Sequence, residues 1–190
     1  MRTMVAERWV GPLTPTDEDV LARAEPPVLD VGCGPGRHVA ALAERGAMSL
    51  GIDITPAAVA RARRRGAPVL ERSVFDRIPA SGRWASALLL DGNVGIGGNP
   101  ATLLARVVSL LRPGGFVLVE LEPRAARDPI ELARLALDGL PGPWFPWTRL
   151  GIVDLAPVAD AAGLAATDVW EDGGRCFARL ARRSPEWLTR

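Results

Sequence analysis

The 190-residue chain contains no lysine, two cysteines and one histidine. Its 23 basic side chains, all arginine, stand against 22 acids and leave a formal net charge of +1. That balance gives no support for a general nucleic-acid binder or a binder of anionic membranes. The use of arginine for lysine reads as a bias of genomic composition rather than as chemistry. Cys33 and Cys176 lie far apart, without metal-ligand spacing and without a disulfide framework, so no metal is expected. No uninterrupted apolar run approaches the roughly 20 residues that a membrane span needs. The opening residues Met1 to Trp9 lack the apolar segment of a signal peptide. A cytoplasmic protein is expected, with no membrane and no nucleic acid among its partners; its oligomeric state is not legible here. The length suits one domain with a sizeable core, since domains commonly run from about 50 to 250 residues.

What is present is organised around Pro27-Val28-Leu29-Asp30-Val31-Gly32-Cys33-Gly34-Pro35-Gly36-Arg37-His38. A buried strand, Val28 to Val31, runs into three alternating glycines, and the helix former Val39 to Arg45 follows at once. The glycines permit a sharp turn and leave main chain open for a ligand to lie against. The helix start beyond them offers unpaired N–H groups and a partial positive charge. This reads as a loop for a polar, nucleotide-like cofactor, or as a tight turn only. The nicotinamide fingerprint is G-x-G-x-x-G. Here the spacing is G-x-G-x-G and the third fingerprint position is Arg37, which disfavours a nicotinamide-dependent reductase. Asp30, two residues before the first glycine, can either hold loop N–H groups or face a cationic ligand.

A second strand, Ser49 to Ile54, carries Asp53 about 20 residues further on, where a doubly wound sheet presents a carboxylate to ribose hydroxyls. With Asp53 in place the chain closely resembles the class I S-adenosylmethionine-dependent methyltransferases. Their signature is D/E-x-G-x-G-x-G with an acid ending the second strand, matched by Asp30, Gly32, Gly34, Gly36 and Asp53. The resemblance runs motif by motif over about residues 27–122. It includes Leu111-Arg112-Pro113-Gly114-Gly115 before a β run, where the glycines serve the turn and not the site.

The rest of the chain alternates. A helix follows Thr55-Pro56 to Arg65, residues 68–73 make a third strand, and Trp84 to Asp91 a buried fourth. A helix from Asn99-Pro100 to about Leu111 carries Leu103, Leu104, Val107, Val108 and Leu111 at helical spacing, and Phe116 to Leu121 is the fifth strand. Strands separated by helices imply a parallel sheet with right-handed crossovers. Before this core, Thr16-Asp17-Glu18-Asp19 caps a short helix. Trp9 is either an active-site cover or a hydrophobic anchor. Ile130 to Leu137 fits a helix or a strand equally, and Leu140 to Trp147 is too proline-rich for a regular element. Residues 152–162 read as a helix that Pro157 kinks or delays, and Glu171-Asp172-Gly173-Gly174 as the turn of a closing hairpin. The expected fold is therefore α/β: a Rossmann-like doubly wound sheet of about seven strands, mostly parallel, ending in an antiparallel hairpin. Residues 1–27 form a short lead-in or lid, and 28–190 a single domain.

The resemblance implies S-adenosylmethionine as cofactor and methyl transfer to a small-molecule acceptor. The alternative is a non-catalytic subunit of the same fold that regulates or scaffolds an enzyme. The implied cofactor contacts are Asp30, Gly32, Gly34 and Gly36 in the loop, and Asp53 and Ile54 at the second strand. Ser73, Val74 and Phe75 follow the third strand, and Asp91 and Gly92 the fourth. Relatives often place an acid at the end of strand three, where this chain has Ser73. Either Asp76 reaches back, or backbone N–H groups and the Phe75 ring recognise adenine. Asp91 to Gly98 holds the position of the N/D-P-P-Y loop of amino-methylating relatives without its sequence, which disfavours an adenine or glutamine substrate. Asp91 and Asn93 should lie beside the cofactor's methionine end. Asp91 and His38 are the candidate catalytic residues. His38 has an intrinsic pKa suited to a general base, or simply caps and packs. Glu120 and Glu122, at the end of strand five, are better placed for substrate contact than for proton transfer, or one of them is simply solvated. Arg149, Trp144 and Trp147 either line the acceptor pocket or pin their loop to the core.

Overall fold

The computed structural model describes residues 1–5, 9–123 and 130–183. Its main sheet has seven strands: β2 (Val28–Val31), β3 (Ser49–Asp53), β4 (Val69–Glu71), β5 (Trp84–Leu89), β6 (Leu111–Leu121), β10 (Leu164–Asp172) and β11 (Arg175–Arg182). Their order is β10-β11-β6-β5-β2-β3-β4, and β11 alone runs antiparallel to its neighbours. β5 is buried on both faces and apolar apart from Ser86, whose hydroxyl is satisfied by the main chain of Glu25. Ala87 and Leu89 join a large cluster with Leu103, Leu104 and Val107 of helix α4 (Pro100–Leu110). Leu88 and Leu90 point the other way, onto Val20 and Leu21 of α1 (Pro15–Ala22) and Leu42 of α2 (Arg37–Glu44). The third crossover helix is α3 (Pro56–Arg64). None of the described helices is long and apolar enough to cross a membrane.

Three expectations change. The α1 cap is Thr14, two residues earlier than expected. Thr14 Oγ1 accepts from Asp17 N while Asp17 Oδ2 accepts from Thr14 N, a reciprocal box with Pro15 in the first turn. Residues 131–137 are a strand, β7 (Glu131–Leu137). Ala133, Leu135 and Leu137 are buried on one face, and the partner that settles the conformation is β1 (Arg2–Val5), which lies parallel to β7. The proline-rich stretch does hold regular structure: β8 (Leu140–Pro141) and β9 (Phe145–Trp147) pair antiparallel with β7. Proline is tolerated there because these are short edge strands. In the region of residues 152–162, a 3-10 turn, Ile152–Asp154, precedes α5 (Leu155–Ala161). Pro157 falls in the first turn of α5, where a missing N–H costs nothing.

Candidate active site

The strands β2, β3 and β5 end on one edge of the sheet, and a cavity of about 270 Å³ opens there. The loop after β2 forms its floor. Gly32 N and Cys33 N donate to Ile52 O, and Asn93 Nδ2 donates to Val31 O and Gly32 O at 2.9 Å, so the loop is held from both sides. The three glycines do different jobs. A Cβ on Gly32 would come within 2.8 Å of Asn93, and one on Gly36 within 2.7 Å of Ala62 Cβ on α3. Gly36 thus serves helix packing. Gly34, at φ +53°, has nothing within 4 Å of where a Cβ would stand. It is the loop's open position.

Two acids flank it. Asp53, at the end of β3, accepts from Gly34 N (2.8 Å) with one oxygen and from Thr55 N (2.7 Å) with the other. Burial pushes its pKa up, against the pull of those amides. Asp30 is 1% exposed, and its Oδ2 has no hydrogen-bond partner among the described residues. Burial raises its pKa to about 6; His38 and Arg37 pull it down while Asp91 and Asp53 add to the rise. Burial also raises the thiol of Cys33 far above its ordinary value, so it is no nucleophile.

Of the expected site residues, Gly32, Gly34, His38, Asp53 and Ile54 line this cavity, as do Ser73, Val74, Phe75 and Asp91. Asp30 is not among the residues lining either cavity, and Gly92 lines a neighbouring cavity instead. Asp76 does not line it, while the Phe75 ring stands 46% exposed against Gly97. The other wall belongs to the small sheet, through Met4, Leu135, Phe145 and Trp147, with Trp9 and Trp144 beside them. Trp9 lines the cavity and also packs with Met4 and Val10 on Leu135 and Leu137.

A second cavity, of about 580 Å³, shares Met4, Trp9, Arg37, Asp91 and Trp147 with the first. Glu120, Glu122 and Arg149 line it, as does Arg175. Trp147 stands at the junction, donating Nε1–H to Gly92 O at 3.3 Å.

Between the cavities runs a closed ring of charges. Asp17 is fully buried and accepts from Arg37 Nη1 (2.6 Å) and Arg175 Nη1 (2.8 Å), with His38 Nε2 at 3.4 Å. Arg37 Nη2 reaches both oxygens of Asp91 at 3.0 Å. Arg175 forks onto Glu120 at 2.9 and 2.7 Å, and Glu120 Oε2 accepts from Asp91 N at 2.6 Å. Burial alone would raise the Asp17 pKa; hydrogen bonds from His38, Arg175 and Thr14, with the charge of Arg37, hold it far below the carboxylate range. Burial works against the charge of Arg175, and Glu120 and Asp17 outweigh it. The sequence carries no local signal for Arg175 or for the role of Asp17, because they are 158 residues apart.

Residues 28–115 match a family model described as a methyltransferase domain. A trans-aconitate 2-methyltransferase from Azoarcus sp. (strain BH72) is 34% identical over 143 residues, covering 71% of this chain and 52% of that protein. One from Paracidovorax citrulli is 31% identical over 178 residues, covering 85% of this chain and 66% of its own length. The chain thus spans between about half and two thirds of these curated relatives. Among solved structures, a SAM-dependent methyltransferase from Bacteroides fragilis in complex with S-adenosyl-L-homocysteine superimposes with a TM-score of 0.71 at 24% identity. That likeness covers 90% of this chain and 78% of the other, and it establishes the shared fold.

Proposed function

We propose that the chain, whose residues 28–115 match a methyltransferase-domain model, is a class I S-adenosylmethionine-dependent methyltransferase that transfers a methyl group from S-adenosylmethionine to a small-molecule acceptor. The observation that carries the reading is the open main chain at Gly34, set between Asp53 and a buried Asp30 whose Oδ2 has no partner among the described residues. A cofactor with a cationic amino-acid end supplies the donor that Asp30 Oδ2 lacks, and its ribose diol suits Asp53 at the end of β3.

Asp53 accepts from Gly34 N and Thr55 N, and the Thr55 hydroxyl and Ile54 N–H also act on it, so the ribose diol shares this carboxylate with main-chain donors. Ser73, Val74 and the exposed Phe75 ring take the adenine, with backbone N–H groups rather than Asp76. The amino-acid end lies along Gly32 to Gly36 toward Asp30, with Asp91 and Gly92 beyond it. When bound, S-adenosylmethionine brings a methyl group activated by its sulfonium. The chain's own contribution is then placement, for which orientation can supply roughly 7–11 kcal/mol. Asp91, fixed by Arg37 and by its own N–H to Glu120, is the placing group between the cavities. His38 is the imidazole available to take a proton if the acceptor arrives protonated, a contribution of about 10²–10⁴-fold. The acceptor occupies the second cavity, and trans-aconitate is the first compound to try there.

A thermal-shift panel tests the cofactor class. S-adenosylmethionine and S-adenosylhomocysteine should raise the melting temperature, and NAD and NADP should not. Stabilisation by the nicotinamide cofactors alone would refute the reading. Within the site, Asp53→Ala should weaken S-adenosylhomocysteine about 10–100-fold, because charge-assisted hydrogen bonds are worth about 1.5–3 kcal/mol each. Equal affinity of variant and parent by calorimetry would remove Asp53 from the ribose contact.

A further inference from the structure

The charge ring joins five separate elements. Asp17 comes from α1, Arg37 from the first residue of α2, Asp91 from the turn after β5, Glu120 from β6 and Arg175 from the first residue of β11. Arg37 and Asp91 line both cavities, and Arg175 and Glu120 line the second. Asp17 lines neither. It sits behind the wall with no exposed surface and binds both arginines. The same carboxylate also closes the capping box of α1, where Oδ2 takes the N–H and the hydroxyl of Thr14 at 2.9 Å each.

Resting on the methyltransferase reading, we infer that Asp17 is a positioning residue of the transfer site, so that α1, outside the matched domain, completes the active centre. Asp17 holds the two guanidinium forks at one spacing. Those forks then fix Asp91 and Glu120 at the junction of cofactor and acceptor cavities. Arginine suits this work because one flat fork can bind two carboxylates at once. Asp17 is a positioning residue and not a catalytic one, since it lines neither cavity and acts on them through Arg37, Arg175 and His38.

The geometry separates two roles of one side chain. Thr14→Ala removes the side-chain cap and leaves the carboxylate to the arginines. Asp17→Asn keeps an acceptor for Thr14 and removes the charge that spaces the forks. Two readouts apply to each variant in the full chain: the ¹⁵N-edited signals of the Arg37 and Arg175 guanidinium groups, and the S-adenosylhomocysteine affinity by calorimetry. The inference predicts that Thr14→Ala keeps sharp guanidinium signals and binds within about twofold of the parent. Asp17→Asn should lose those signals and bind about tenfold more weakly, a loss of about 1.4 kcal/mol, because Arg37 and Asp91, which line the cofactor cavity, lose their fixed spacing. Sharp parental signals or parental affinity in Asp17→Asn would overturn it.

Should Asp17→Asn not fold, Arg175→Lys carries the test. Lysine keeps the charge but cannot bind Asp17 and Glu120 through one flat fork. The same tenfold loss is expected, and parental affinity would overturn the inference. A parent that gives no heat with S-adenosylhomocysteine would refute the cofactor reading instead, and the guanidinium signals would still decide the ring.

Discussion

Gly34→Val should abolish S-adenosylhomocysteine binding, with an affinity loss above about 100-fold and an unchanged circular dichroism spectrum. Two effects add. Gly34 has φ +53°, a region where a β-branched residue is a strained outlier. The space around its missing Cβ is clear of protein, so the fold itself has room for the side chain. That clear space is where the ligand must lie against main chain. Gly34 N also donates to Asp53, so a backbone shift would disturb the ribose acid as well. Gly34→Ala should show a smaller loss in the same direction. Gly36→Val, by contrast, should injure the fold, because Ala62 already stands 2.7 Å from its Cβ position. Binding by Gly34→Val at parental affinity would reduce the loop to a structural turn.

Asp30→Asn should move stability and binding in opposite directions. The Asp30 pKa rises from 3.8 to about 6 on folding, chiefly through burial. An acid with a raised folded pKa favours the native state most below its unfolded value, and that contribution is lost as pH rises through the folded value. Between pH 4 and 6 the parent should therefore forfeit up to about 3 kcal/mol, at 1.36 kcal/mol per unit of pKa difference. Asparagine carries no charge to bury. At pH 7.5 the ligand-free variant should melt higher than the parent by up to about 6–12 °C, with the gap closing toward pH 4. Asp17 acts with the opposite sign: its lowered pKa gives stability present at neutral pH and lost under strong acid. Cofactor affinity of Asp30→Asn should fall about 10–100-fold, since a charged acceptor for the ammonium is gone. A variant that melts lower at pH 7.5, or binds as the parent does, would contradict this role.

The parts legible in the sequence are those whose causes are local. The strand, loop and helix of residues 28–44 follow from a buried run, three glycines and a helix former in direct succession. Asp53 follows from its distance to that loop. Long-range partners decide the rest. The ambiguity of Ile130 to Leu137 ends with its strand partners, β1 more than a hundred residues earlier and β8 and β9 after it. Gly36 looks like a ligand contact until Ala62 and Ala67 of the next crossover pack against it. Arg37 reads as a break in a nicotinamide fingerprint and proves to be a hinge of the charge ring, because Asp17 and Asp91 approach it from elsewhere.

The crystal structure of the S-adenosylhomocysteine complex tests the central claim most directly. The account predicts the ribose diol on Asp53, the adenine beside Phe75 and the amino group within hydrogen-bond distance of Asp30 Oδ2. Nucleoside density in the second cavity, or against Glu120 and Arg175 with Gly34 left bare, would contradict it.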